Sequence, residues 1–393
     1  MLPLRARLLL CVCACAAAAA AASPVRASPA QRGFGHAIKN GLLPAFPAEL
    51  EVFAHACAAA PCVVTQLVLP SVYPHGTDAM DWEGARLRLY VDGEAAASVD
   101  VLLRELACVG RLGAVGRAAP RDGSPFGHTL FGKGARTGGV WSTVRVPFAA
   151  SLRVTLTNAA SAAKFGRFWL IIRGVEALPV TLGGELTLPD QARLVLARTS
   201  AAALAPLQLL TLATAPSDSA GALLIAFVDA FSAGDFNFLE GCFRWWPAAG
   251  GGGGNATRGP PQFLSSGTED LFLSASYFDE GMYNGPQAGL TFLGNGSAGA
   301  GGGSAAAMYK TFDRDLVLWS GGMQLAWRNF EAAAGAGCPC PSAWPWTPQE
   351  CEATHPHPHP SSGVGSITVD ALVWSYAWPA NASLLTFSGA PAA

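Results

Sequence analysis

Two glutamates stand out in this chain for what surrounds them. Glu240 ends the run Phe236-Asn237-Phe238-Leu239, and Glu269 sits in Gly267-Thr268-Glu269-Asp270-Leu271-Phe272-Leu273. Read as strands, the two-residue period puts Glu240 on one face with Phe236 and Phe238, and Glu269 with Leu271 and Leu273. A carboxylate held on an apolar face without a cation is costly, and its pKa rises. Two carboxyl groups in unequal environments divide into an acid and a base or nucleophile. That is the equipment of glycoside hydrolysis: one group protonates the departing oxygen, the other attacks the anomeric centre or activates water against it. The competing local arrangement pairs Glu240 with Arg244 four residues along and leaves Glu269 to cap a turn. Asp270 is the acid expected to orient a substrate hydroxyl or a neighbouring side chain.

The elements that must carry these groups read as mainly β. Short apolar segments rich in β-branched and aromatic residues recur between Gly, Pro, Asn and Asp, as at Leu87–Val91, Leu152–Thr157, Phe168–Ile172, Leu223–Val228, Met323–Trp327 and Ile367–Trp374. Such spacing predicts antiparallel sandwiches or jelly rolls. Only residues 190–205 are expected to hold a helix. The halves echo one another: Arg86–Glu94 followed by Pro147–Thr155, and Phe238–Gly241 followed by Leu316–Leu325. The order predicts two tandem β domains, 33–180 and 181–393, the second carrying the glutamates. Gly-rich stretches at 248–255 and 294–304 and the Pro-rich stretch 338–360 read as surface insertions.

The bulk numbers bound the function further. Net charge is -2 and 13% of residues are charged, so nothing argues for nucleic acid or an anionic membrane surface. Arg5 and Arg7 precede an apolar run, Leu8–Ala22, and small residues follow, so residues 1–27 read as a cleavable secretory signal. The run is short for a membrane span. No acid occurs before Glu49, which keeps an organelle transit peptide as the alternative. Sequons at Asn255, Asn295 and Asn381 agree with export. Seven cysteines remain after the signal, clustered as Cys57 with Cys62 and as Cys338 and Cys340 with Cys351; both clusters permit local disulfides, and the odd count leaves one thiol over. His355, His357 and His359 alternate with proline on an extended path that splays them apart, so no metal site is expected there. No phosphate-cradling loop or nucleotide fingerprint occurs, and no cofactor is expected. Trp141, Trp245, Trp246 and Tyr283 could stack on sugar faces, with core packing the ordinary alternative.

The segment Ser266-Gly267-Thr268-Glu269-Asp270-Leu271-Phe272, followed by Ser276-Tyr277-Phe278 and Pro286-Gln287-Ala288-Gly289-Leu290, closely resembles the signature of glycoside hydrolase family 172, formerly a domain family of unknown function. Leu87–Val99, Val146–Thr155, Phe238-Leu239-Glu240-Gly241 and Val369–Tyr376 are similar to further segments of that family, in the same order. The resemblance implies two tandem jelly rolls and a homo-oligomer, often a trimer, whose neighbouring subunit completes the site. It implies a retaining furanosidase acting on α-D-fructofuranosides or D-arabinofuranosides, with Glu240 as nucleophile and Glu269 as general acid/base. The chain departs from the family in Cys242–Pro247 and the glycine run after Glu240, and in Leu271 where the family has tyrosine. A catalytically silent glycan-binding or extracellular structural jelly-roll protein is the alternative those departures motivate.

Overall fold

The computed structural model describes residues 30–70, 84–110, 126–133, 139–159, 166–247, 261–295, 303–330, 365–382 and 385–386, apart from Leu207 and Ser266. The proposed signal, the Pro/His-rich stretch with its three histidines, Cys338, Cys340, Cys351 and Asn255 lie outside them.

The first half contributes β1 (Arg32–Leu43), β2 (Glu49–Ala56), β3 (Cys62–Leu69), β4 (Arg86–Val91), β5 (Val99–Leu102), the one-turn helix α1 (Leu103–Leu106), β6 (Phe126–Gly127), β7 (Phe131–Lys133), β8 (Val140–Ser142), β9 (Val146–Phe148), β10 (Ser151–Thr157) and β11 (Gly166–Glu176). A short connecting pair follows, β12 (Thr181–Leu182) and β13 (Leu186–Thr187). The second half has β14 (Arg193–Leu204), β15 (Leu209–Ala215), β16 (Ser219–Ser232), β17 (Phe243–Trp246), β18 (Phe263–Leu264), the one-turn helix α2 (Thr268–Leu271), β19 (Tyr283–Asn284), β20 (Ala288–Asn295), β21 (Ser304–Thr311), β22 (Leu318–Ser320), β23 (Met323–Arg328), β24 (Ile367–Pro379) and β25 (Leu385–Thr386).

The two halves have one topology. The first half's larger sheet runs β1-β11-β3-β8-β7-β6 with β9 beside β3, and the second's runs β14-β24-β16-β21-β20-β19 with β22 beside β16. The smaller sheets run β2-β10-β4-β5 and β15-β23-β17-β18. Every strand and the helix of the first half therefore has a counterpart at the same place in the second. The chain is two tandem antiparallel jelly rolls.

Sequence alternation explains how they join. Along β24, Val369, Ala371 and Val373 enter the core of the second sandwich, while Leu372, Trp374, Tyr376 and Trp378 enter a cluster continuous with the first jelly roll's core. The larger second sheet is thus covered on both faces, which is why β16 reads as a nearly unbroken apolar run. Across the seam, the Tyr376 hydroxyl donates to the Arg145 carbonyl at 2.8 Å and Arg198 reaches Glu105 at 2.8 Å.

One expectation fails outright. Residues 190–205 do not form a helix: β14 occupies Arg193–Leu204 and pairs antiparallel with β24. Its alanines favour a helix locally, but strand pairing and burial of Leu194 and Leu204 prevail over propensity. Cys57 and Cys62 form a disulfide, Cys242 is also disulfide-bonded, and among the described residues Cys108 is a free, buried thiol.

Candidate active site

The strand expected at Glu240 is a 3-10 turn, Asn237–Glu240, and the strand expected at Glu269 is α2. Aromatic content and alternation suit a strand, yet the backbone closes on itself here: the Leu239 N–H donates to the Phe236 carbonyl at 2.8 Å, the Gly241 N–H to that of Phe238 at 3.1 Å, and the Leu273 N–H to that of Asp270 at 3.1 Å. Gly267 is extended and precedes the helix as its cap. Gly241 must be glycine: a Cβ there would lie 1.8 Å from the Arg328 carbonyl oxygen.

These two segments are bolted together by side-chain and backbone hydrogen bonds. The Thr268 hydroxyl donates to the Gly241 carbonyl at 2.6 Å and accepts from the Trp327 indole N–H at 2.8 Å. The Phe243 N–H donates to the Ser265 hydroxyl at 2.8 Å, and the Ser265 N–H to the Phe243 carbonyl at 3.0 Å. The residue after Glu240 and the residue before Glu269 are therefore held at fixed separation by a threonine buried in the core.

The carboxyl groups differ as acid–base chemistry requires. Glu269 is 8% exposed, and its Oε2 is buried with no hydrogen-bond partner among the described residues. Burial is the main force lifting its pKa to about 7, helped by the neighbouring charges of Glu240 and Asp270; the carboxyl accepts from its own N–H and that of Tyr277, which act the other way. Glu240 is half-buried and accepts a hydrogen bond from the Tyr277 hydroxyl, whose pKa is pushed up by burial and by that bond. Tyr277 thus serves both glutamates, the backbone on one and the phenol on the other.

Tyr277 was not among the residues picked from local pattern; the signal for it was the Ser276-Tyr277-Phe278 segment that follows Glu269 in sequence. Its φ of 56°, the 59° of Phe278 and the 61° of Leu273 are left-handed conformations that bulky side chains adopt only at a cost of about 1–3 kcal/mol each. Three such residues within six positions of one another bend the chain back over Glu269.

The other candidates are dispersed. Asp270 is exposed on α2 beside Glu269. Trp245 is 6% exposed and belongs to the second core, so core packing claims it. The Tyr283 hydroxyl donates to the Phe272 carbonyl, which ties β19 to the end of α2, and burial pushes its pKa up to about 12. Trp141 is half-buried on β8 of the first jelly roll, over Gly127. The Pro286–Leu290 segment builds the seam between the halves: the His128 ring meets the Pro286 carbonyl at 2.7 Å. At Gly289 a Cβ would lie 2.4 Å from the Tyr309 ring. Arg244 turns its guanidinium to the Cys242 carbonyl at 3.1 Å.

No family model matches the chain, and no curated protein matches it. Among solved structures it is similar to the STIV MCP, at TM-score 0.39 and 9% identity over 88% of this chain and 96% of that one. It is also similar to the Sputnik virophage structure, at TM-score 0.26 and 10% identity over 99% of this chain and 92% of that one. At such identities neither bears on chemistry.

Proposed function

We propose that this chain is a retaining glycoside hydrolase of furanosides, with Glu240 as nucleophile and Glu269 as general acid/base. The observation that carries the reading is the unequal pair: a buried Glu269 with one oxygen unpartnered and its pKa lifted to about 7, beside a Glu240 held by a tyrosine hydroxyl. A carboxyl poised near neutrality keeps its proton for the leaving group and still takes one back.

In the first step Glu269 gives its proton to the glycosidic oxygen as the bond to the anomeric carbon breaks, and a Glu240 oxygen bonds to that carbon. In the second, the ionised Glu269 removes a proton from water, the water oxygen displaces Glu240, and Glu269 regains its proton. The Tyr277 hydroxyl positions Glu240 and supports its charge when the glycosyl bond breaks. Asp270, exposed beside Glu269, is suited to hold a sugar hydroxyl. The substrate class, α-D-fructofuranoside or D-arabinofuranoside, the secretory route and a homo-oligomer with a shared site rest on the family resemblance and on the signal-like start.

The second reading is a catalytically silent structural or glycan-binding jelly-roll protein. What favours it is the absorption of Trp245 into the core and of the Tyr283 hydroxyl into a backbone hydrogen bond, which removes two expected sugar platforms. Hydrolysis of aryl α-D-fructofuranoside and aryl α-D-arabinofuranoside by the purified protein separates the two. The hydrolase reading expects turnover that Glu240→Gln and Glu269→Gln each abolish. Turnover that survives both substitutions rules out the assignment, and no turnover of either glycoside favours the silent reading.

A further inference from the structure

A cavity of about 650 Å³ opens at the mouth of the second sandwich, within the size range of pockets that enclose small organic molecules. Its floor is the sandwich interior: Leu223 from β16, Trp245 from β17 and Leu325 from β23 all belong to the second core. Its rim is unusual for a protein surface. Phe263, Leu273 and Leu318 line the opening and are 42%, 56% and 40% exposed, three of the seven large apolar side chains exposed among the described residues. Leu273 is presented there by a left-handed backbone, so an apolar side chain is held out to solvent at a conformational cost. Contiguous apolar groups at a concave opening mark a binding site for an apolar body.

The polar groups define the other end of the occupant. The Lys310 side chain, 5% exposed, points into the sandwich and meets Asp315 at 3.4 Å. Asp270 also lines the cavity. Two carboxylates against one ammonium disfavour an anionic ligand and match hydroxyl groups, which donate to carboxylates and accept from the ammonium.

We propose that this cavity binds a neutral amphiphile, an alkyl or aryl group carrying a hydroxylated head. Glu240 and Glu269 are not among its lining residues, Asp270 is shared with the proposed catalytic site, and binding to the cavity is tested without turnover.

The test is isothermal titration of the full chain with butyl, hexyl and octyl β-D-glucopyranoside below their micellar concentrations, with free glucose and octanoate alongside. A pyranoside keeps the furanosidase reading out of the measurement. Affinity is expected to rise about fourfold per added methylene, as burial of each CH₂ predicts. The octyl glycoside should bind more tightly than octanoate. Leu318→Asp and Leu273→Asp change exposed side chains, so the variants should fold, and each should weaken octyl glucoside binding at least tenfold. A flat chain-length series, tighter binding of octanoate, or indifference to both rim variants would overturn the proposal. So would sedimentation showing that Leu318→Asp dissociates an oligomer while the wild type binds no amphiphile, because the rim would then be covered by a second copy.

Discussion

The two jelly rolls place a one-turn helix at the same point of the same topology, and each helix buries a carboxylate in its first turn under opposite conditions. Counted from the cap, α1 carries Arg104 then Glu105, and α2 carries Glu269 then Asp270. Glu105 is fully provided for: it accepts from the Leu102 N–H at 2.9 Å, meets Arg198 at 2.8 Å across the seam, and lies 3.6 Å from Arg104. Glu269 has an acid beside it where Glu105 has a guanidinium, and one of its oxygens has no partner among the described residues. The same one-turn helix thus holds a joint between domains at its third residue in one half and a buried acid at its second residue in the other. Perturbed carboxyl groups of this kind cluster at functional sites.

The largest effect should separate the halves by activity. Glu269→Gln should lower kcat/KM on an aryl furanoside by about 10²–10⁴, and Glu240→Gln by at least as much, while Glu105→Gln leaves turnover by the folded fraction near wild type. The wild-type pH profile should fall above about pH 7 as Glu269 loses its proton. A profile flat to pH 9 would break the assignment of the acid.

Stability should move in the opposite order. Glu105→Gln strands Arg198 and Arg104 without their carboxylate and should cost about 3 kcal/mol in urea unfolding. Glu269→Gln should stabilise, increasingly with pH. The folded pKa of Glu269, about 7, exceeds its ordinary 4.5, so the folded state holds an extra proton between these values. Stability therefore falls as pH rises through that window, and the full cost, about 3 kcal/mol, is present above it. Unfolding curves of wild type and Glu269→Gln should coincide near pH 4 and diverge by pH 8; a constant offset would contradict this.

A smaller effect belongs to Tyr277. Tyr277→Phe removes a hydrogen bond to a charged acceptor, worth about 1.5–3 kcal/mol, so kcat should fall roughly 10- to 100-fold with KM little changed. The smallest belongs to Trp141, on the first jelly roll: Trp141→Phe should leave kcat/KM within about twofold. A larger loss would place a first-half residue in the site and weaken the contrast between the halves.

Much of this was legible in the sequence, unevenly. Alternation in Leu152–Thr157 and Ile367–Trp374 marked real strands because each buries one set of side chains in a sandwich core. The echo between Pro147–Thr155 and Leu316–Leu325 was sound in topology: β9 and β10 are the counterparts of β22 and β23. Alternation failed at the glutamates, since the apolar neighbours that look like one strand face there are gathered by the 3-10 turn Asn237–Glu240 and the one-turn helix Thr268–Leu271. It failed for 190–205 because alanines carry no period, and only the distant partner β24 decides that segment. The unpartnered state of Glu269 depends on a threonine bridge, a left-handed tyrosine and a missing guanidinium, none of which has a local signature.

The central claim is that α2 holds a carboxyl titrating near neutrality where α1 holds a paired one. Carboxyl-carbon NMR titration of protein labelled at glutamate tests it directly, with Glu269→Gln and Glu105→Gln as assignments. A glutamate midpoint near pH 7 is expected in the wild type, retained in Glu105→Gln and absent from Glu269→Gln. Its persistence in Glu269→Gln, or midpoints below pH 5 for every glutamate, would contradict the claim.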